Sequence, residues 1–249
     1  MSYTPFEVRV LPLFFYYIVL SIIGILMTLK MYYKWRERKV NPPLYLSIVF
    51  LSLTVALIML TLGLAEAVIT GFFMEIYRFS LPFAYGMVIL ADILLLKFVI
   101  ELIDKGKKSF IPLTIVGLVI CVILFLPWNW WGTPSEDYAG HLNIRLYSTL
   151  TLVLYSYFIY ILIARTSLKA AKATQDATAK IGLKFLFYSM ISLILFFLMF
   201  IGDTLMIALF QHPGYSEFIY IAWFFAILFF LFSYISLVMP KWVLKRIGK

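Results

Sequence analysis

Lys30-Met31-Tyr32-Tyr33-Lys34-Trp35-Arg36-Glu37-Arg38-Lys39 carries five of the chain's 21 basic residues in ten positions. It stands between two apolar runs, at about 10–30 and 43–64. Working outward, five more runs follow at about 79–103, 109–127, 144–165, 183–210 and 216–239. A helix crosses the hydrocarbon core of a bilayer in roughly 17–25 residues, so all seven are long enough. Inside hydrocarbon each backbone N–H and C=O must be satisfied within its own segment, which makes each run a helix.

The charges between the runs alternate. The linkers after the first, third and fifth runs, with the C-terminal end, hold 17 of the 21 basic residues and only three acids, Glu37, Asp104 and Asp176. The opposite side holds Arg9, Arg78 and Arg145 against six acids: Glu7, Glu66, Glu75, Glu136, Asp137 and Glu217. Basic linkers stay in the cytoplasm, so the expected orientation is N-terminus outside and C-terminus inside. The expected fold class is all-α, a polytopic membrane bundle of seven transmembrane helices forming one domain over 1–249. The expected location is the plasma membrane.

Composition agrees. The chain is 64% hydrophobic with a mean hydropathy of +1.00, against roughly 45–50% apolar for a soluble domain. The net charge of +9 follows from orientation. It implies contact with anionic lipid on the cytoplasmic side rather than nucleic acid. The single cysteine, Cys121, excludes an internal disulfide. The first run lacks a basic leader and a small-residue cleavage site, so it reads as a retained helix.

Local signals place the ends. Asn41-Pro42-Pro43 breaks the chain before the second helix. Ser109 with Pro112 reads as cap and first turn of the fourth. Pro127 and Pro240 mark the ends of the fourth and seventh. The Ala/Lys-rich stretch from Arg165 to Lys184 favours helix, so the fifth helix is expected to run on into the cytoplasm. No linker is long enough for an output domain.

A weak repeat is legible. Gly63-Leu64-Ala65-Glu66 closes the second run, and Gly202-Asp203 lies near the end of the sixth. Both put a glycine and an acid near the outer face, in a 3+1+3 plan whose two triplets run parallel.

Ionisable residues inside the runs are costly, about 2.5–3.5 kcal/mol each on insertion scales. Asp92 lies near mid-depth of the third helix, as an ion or proton site or as a partner in an interhelical hydrogen bond. Lys97 and Glu101 are four apart and form a structural pair. Asp203, with Glu66, Arg78, Arg145 and Trp131, makes a candidate outer ligand pocket. Trp128, Trp130 and Trp131 read first as an interfacial aromatic belt. Lys169 and Lys172 are candidates for contact with a cytoplasmic partner. His141 and His212 lie in outer linkers without metal-ligand spacing, and no run contains histidine, so no metal or haem cofactor is expected. Nucleophile motifs, phosphate loops and HExxH are absent, and the expectation is a non-enzyme.

The seventh run passes through Ser233-Tyr234-Ile235-Ser236-Leu237 into Met239-Pro240-Lys241-Trp242 and a basic tail. With the seven-run topology, this exit resembles the seven-helix sensory regions that precede some archaeal and bacterial histidine kinases. Other seven-helix families fit less well. Retinal proteins need a lysine in the seventh run, and Lys241 lies past its end. G-protein-coupled receptors differ at Glu101-Leu102-Ile103-Asp104-Lys105, and sugar exporters carry Pro-Gln pairs that are missing here. The resemblance implies a receptor-like or sensory protein that binds a small molecule, lipid or ion outside and contacts a cytoplasmic signalling partner. The alternatives are a small transporter or channel built from two three-helix repeats, and a membrane subunit of a larger complex. No residue bears on oligomeric state.

Overall fold

A backbone with no water to bond closes its own i to i−4 ladder, and the apolar runs do so along almost their whole length. The computed structural model describes residues 3–103, 107–126, 145–210, 212, 215–240 and 243, with backbone alone for 102, 103, 145, 146, 207 and 208. Seven helices result: α1 Leu11–Arg38, α2 Asn41–Thr70, α3 Glu75–Ile103, α4 Lys107–Leu124, α5 Arg145–Ala173, α6 Ala177–Phe210 and α7 Glu217–Val238. All seven are long and apolar enough to cross a membrane, and the chain is an integral membrane protein. A short 3₁₀ turn, Val8–Val10, precedes α1, and β1 Thr4–Pro5 pairs antiparallel with β2 Phe72–Phe73.

The ends have local causes. Lys39 is left-handed (φ 55°) and Val40 extended, so the chain reverses before Pro42 and Pro43 enter the first turn of α2. There proline's missing N–H costs nothing. α2 continues past Glu66 to Thr70 and stops where Gly71 adopts φ 76°, a conformation cheap only for glycine. Asp176 accepts from the N–H groups of Thr178 and Ala179 at 3.0 and 3.1 Å, capping α6. The fifth helix runs through the Ala/Lys stretch to Ala173, and only residues 174–176 separate it from α6. At α4 the expected cap is corrected. The helix already begins at Lys107, so Ser109 is its third residue and Pro112 lies inside it. Lysine is a good helix former, and Lys107 and Lys108 carry the helix outward past Ser109. Pro240 follows the end of α7 at Val238, where Met239 is left-handed; Pro127 and Lys241 lie outside the described residues.

The chain divides into two compact units, 1–156 and 157–249. In the first, α1 packs on α2, α2 on α3 and α3 on α4, with the start of α5 tied to them by side-chain hydrogen bonds. Small residues let these helices approach, as expected where lipid removes the hydrophobic drive between helices. A Cβ on Gly24 would strike Thr54, and one on Gly63 would lie 2.9 Å from Tyr77 Cα. In the second unit α6 packs on α7, and a Cβ on Gly182 would come 2.9 Å from the Ser236 carbonyl.

The surface is as apolar as the core, unlike that of a soluble protein. Ser52, Ser80, Ser156, Ser189 and Ser233 are buried, whereas Ile111, Ile115, Val119 and Val122 of α4 are exposed. Among the seven, α4 is the least buried and α3 the most. A surface of branched aliphatics over a largely apolar interior that also holds hydroxyls is what lipid solvent selects.

Candidate functional site at the mouth of the α2–α3 hairpin

The C-terminal end of α2 and the N-terminal end of α3 meet across a four-residue turn that contains β2. Glu66, in the penultimate turn of α2, points its carboxylate at the start of α3 and accepts from the Tyr77 N–H at 3.0 Å. This satisfies one of the N–H groups that every helix leaves unpaired in its first turn, and it places negative charge at the positive end of the helix dipole.

Arg78, the fourth residue of α3, is 3% exposed. Its Nη1 donates to Glu75 Oε1 at 3.1 Å, an i,i+3 pair whose acid is more than half exposed. Tyr3 sits over the guanidinium, with its ring centre 4.8 Å from Cζ, and donates its hydroxyl to Glu75 Oε1 at 3.3 Å. Tyr3 is brought there by β1, whose Thr4 and Pro5 pair with Phe73 and Phe72, and by the Phe6 N–H bonded to the Gly71 carbonyl at 2.8 Å. Phe6, Phe73 and Tyr77 form a contiguous ring cluster beside it, at 5.8 and 4.4 Å between centres. Nε and Nη2 of Arg78 are buried and have no hydrogen-bond partner.

Asp203 belongs to the second unit and does the same work as Glu66 there. Its Oδ1 accepts from the Ser216 N–H at 2.8 Å and the Ser216 hydroxyl at 2.6 Å, where α7 begins. It is buried at 7% exposure. Gly202 beside it leaves room for Phe218 of α7, whose Cδ1 would lie 2.9 Å from an added Cβ. Glu66 and Arg78 thus act within the first unit and Asp203 within the second, each with partners of its own. Trp131, with Trp128 and Trp130, lies outside the described residues, as does the side chain of Arg145, which opens α5.

Deeper in the first unit Asp92 of α3 is 2% exposed. Ser156 of α5 donates to its Oδ2 at 2.7 Å. The neighbouring Tyr155 donates to the Leu113 carbonyl of α4 at 3.0 Å. Tyr155 and Ser156 thereby tie α5 to two helices in adjacent positions. Toward the end of α3, Lys97 Nζ lies 3.3 Å from Glu101 Oε1, which also accepts from Tyr45 Oη at 3.0 Å. Lys97 further lies 5.1 Å from the centre of the Phe110 ring, a cation–π contact. These neighbours give Lys97 and Glu101 a structural account.

At the far end of α5, Arg165, Lys169 and Lys172 are exposed on one helix face, and with Leu168 they line a concavity of about 330 Å³. Among the described residues no three His, Cys, Asp or Glu side chains come together as a metal site.

Reasoning from the sequence missed several partners. Glu75 was legible, standing three residues before Arg78 on one helix face. Ser216 before Glu217 was legible as a helix start. Tyr3 and Ser156 were not, because nothing local announces a contact across 75 or 64 residues. No protein-family model, curated protein or solved structure matches this chain.

Proposed function

We propose that the chain is a receptor-like or sensory seven-helix protein of the plasma membrane. It binds a small molecule, lipid or ion at its outer face and passes the bound state to a cytoplasmic partner. The observation that carries this reading is the α2–α3 mouth, where a buried guanidinium has one nitrogen on an exposed acid and two others unpaired. The alternation of basic linkers supports an outer location for that mouth and an inner one for Arg165, Lys169 and Lys172. The basic face there suits anionic lipid or an acidic partner surface. On the resemblance to kinase-linked sensory regions, the partner is a histidine kinase or an adaptor for one. Binding transmits a signal only if it favours one helix arrangement over another.

The 3+1+3 repeat belongs to the same proposal. It is supported by the device shared by the two hairpins: an acid late in one helix holds the start of the next, Glu66 on Tyr77 in the first turn of α3 and Asp203 on Ser216 just before α7.

The test is a tagged pull-down from native-host membranes in mild detergent, with mass spectrometry. The expected result is a soluble kinase or adaptor, lost when Lys169 and Lys172 are both changed to Glu. A clean preparation with no such partner overturns the sensory reading.

A transporter is the second reading, and buried Asp92 with its Ser156 partner is the observation that favours it. Proteoliposome flux abolished by Asp92→Asn supports it, and flux that survives the substitution removes Asp92 from the role.

A further inference from the structure

Arg78 has more donors than the described residues give it acceptors. Its side chain is 4% exposed, and among the described residues only Nη1 has a hydrogen-bond partner, Glu75. Nε and Nη2 are buried with none. A guanidinium does not deprotonate in a protein, so the charge stays and the donors stay. An unpaired buried donor is costly, and a charged one more so. Few groups are left this way without an occupant.

The two free nitrogens are a chemical unit. Nε–H and one Nη2–H point in parallel from one edge of the planar guanidinium, at a spacing that matches the two oxygens of a carboxylate. Glu75, on the other terminal nitrogen, leaves this edge without an acceptor. Charge narrows the choice of oxyanion. Glu75 already offsets Arg78, and Glu66 is held on the N–H of the adjacent Tyr77. A dianion such as phosphate would bring two more negative charges beside two fixed carboxylates, whereas a monoanion brings one and uses the planar geometry fully. The surroundings narrow the rest of the molecule. Phe73 and Tyr77 are buried at 7% and 4% exposure, and Phe6 meets Phe73 in a tilted ring contact. The body attached to the carboxylate is therefore apolar.

We propose that Arg78 anchors a binding site for a small apolar carboxylate, both of whose oxygens sit on the Nε–Nη2 edge beneath Tyr3. The site rests on the ligand-binding reading of the α2–α3 mouth and gives its ligand class. Entry is by displacement of Tyr3, which among the described residues the two-residue β1 pairing, the Phe6–Gly71 bond and its own contacts hold in place.

The full chain in lipid nanodiscs is titrated with benzoate and with hexanoate, and the unfolding midpoint is followed. Benzamide and phosphate at matched ionic strength are the controls. The expected result is a saturable rise with at least one carboxylate and none with benzamide or phosphate. Arg78→Gln abolishes the rise. Arg78→Lys, which keeps the charge but loses the fork, weakens apparent affinity at least about tenfold. Glu75→Gln keeps the saturable response, because Glu75 engages only Nη1. The proposal is overturned if neither carboxylate shifts the wild-type midpoint, which leaves water as the occupant. It is equally overturned if phosphate or benzamide acts as well, or if Arg78→Lys binds as the wild type does. That last comparison stands even if Arg78→Gln does not fold. A failed titration beside an intact cytoplasmic partner removes the carboxylate and leaves the sensory reading. A saturable response without any partner keeps the site and removes the sensory reading.

Discussion

Asp203 and Gly63 show how single atoms hold the hairpins. Asp203 accepts two hydrogen bonds from Ser216 in a buried setting. Leaving a buried donor without its acceptor costs about 1–3 kcal/mol. Asp203→Ala is expected to cost about 2 kcal/mol, and Asp203→Asn less, since the amide oxygen still accepts. Thermal unfolding in a constant detergent measures both. At Gly63 an added Cβ would lie 2.9 Å from Tyr77 Cα and 2.7 Å from Ser80 Oγ. Backbone cannot step aside as a side-chain tip can, so Gly63→Ala should lower the unfolding midpoint by several degrees. Gly71→Ala fails for a different reason. Nothing lies within 4 Å, but φ is 76°, and the strain costs about 1 kcal/mol. A Gly63→Ala variant as stable as the wild type would contradict the close approach of α2 and α3.

Elements are governed by their ends more than by their middles. The apolar runs already imply helices; what they leave open is how far each helix reaches into polar surroundings. α6 starts six residues before its apolar run because Asp176 caps it. Removing that cap with Asp176→Ala is expected to cost about 1 kcal/mol. Amide exchange should rise at residues 177–180 while the middle of α6 stays protected. Unchanged protection there would mean that packing, not the cap, sets the start. α2 likewise extends past Glu66 because Gly71 provides the stop. The Asp176 signal was present in the sequence as an N-cap residue before an Ala-rich start. Helix extension over Ala65 to Thr70 was not, since Glu66 near an outer turn reads equally as a helix end or as a loop.

For the molecule as a whole, orientation is the property that charge decides. With the native Cys121 replaced by Ser, a single cysteine at Lys172 is expected to react with an impermeant thiol reagent only after the cytoplasmic side is opened. One at Thr70 should react in intact cells. Reversed accessibility would invert the topology and move the Arg78 site to the cytoplasm. The proposed anionic-lipid contact belongs to this scale too. Reversing Lys169 and Lys172 should weaken association with phosphatidylserine-containing bilayers relative to neutral ones, measured by lipid co-purification, because each surface cation contributes about 1 kcal/mol there.

Seven spans were readable from hydropathy alone, because a length of about 20 apolar residues has one solution in lipid. The pairing distance of Lys97 and Glu101 was readable from helical spacing, since i and i+4 always share a face. Asp176 and Gly71 are residue types that end helices, but their capping came from the structure. Only tertiary structure decided what the buried polar groups do. Asp92 meets Ser156, Asp203 meets Ser216, and Arg78 meets Tyr3. Nor could composition separate an acid that caps a neighbouring helix from one that awaits a ligand, because the difference lies in which N–H the carboxylate reaches. Helical periodicity sets a residue's face, but the partner on that face comes from another part of the chain, and only the fold brings the two within hydrogen-bond distance.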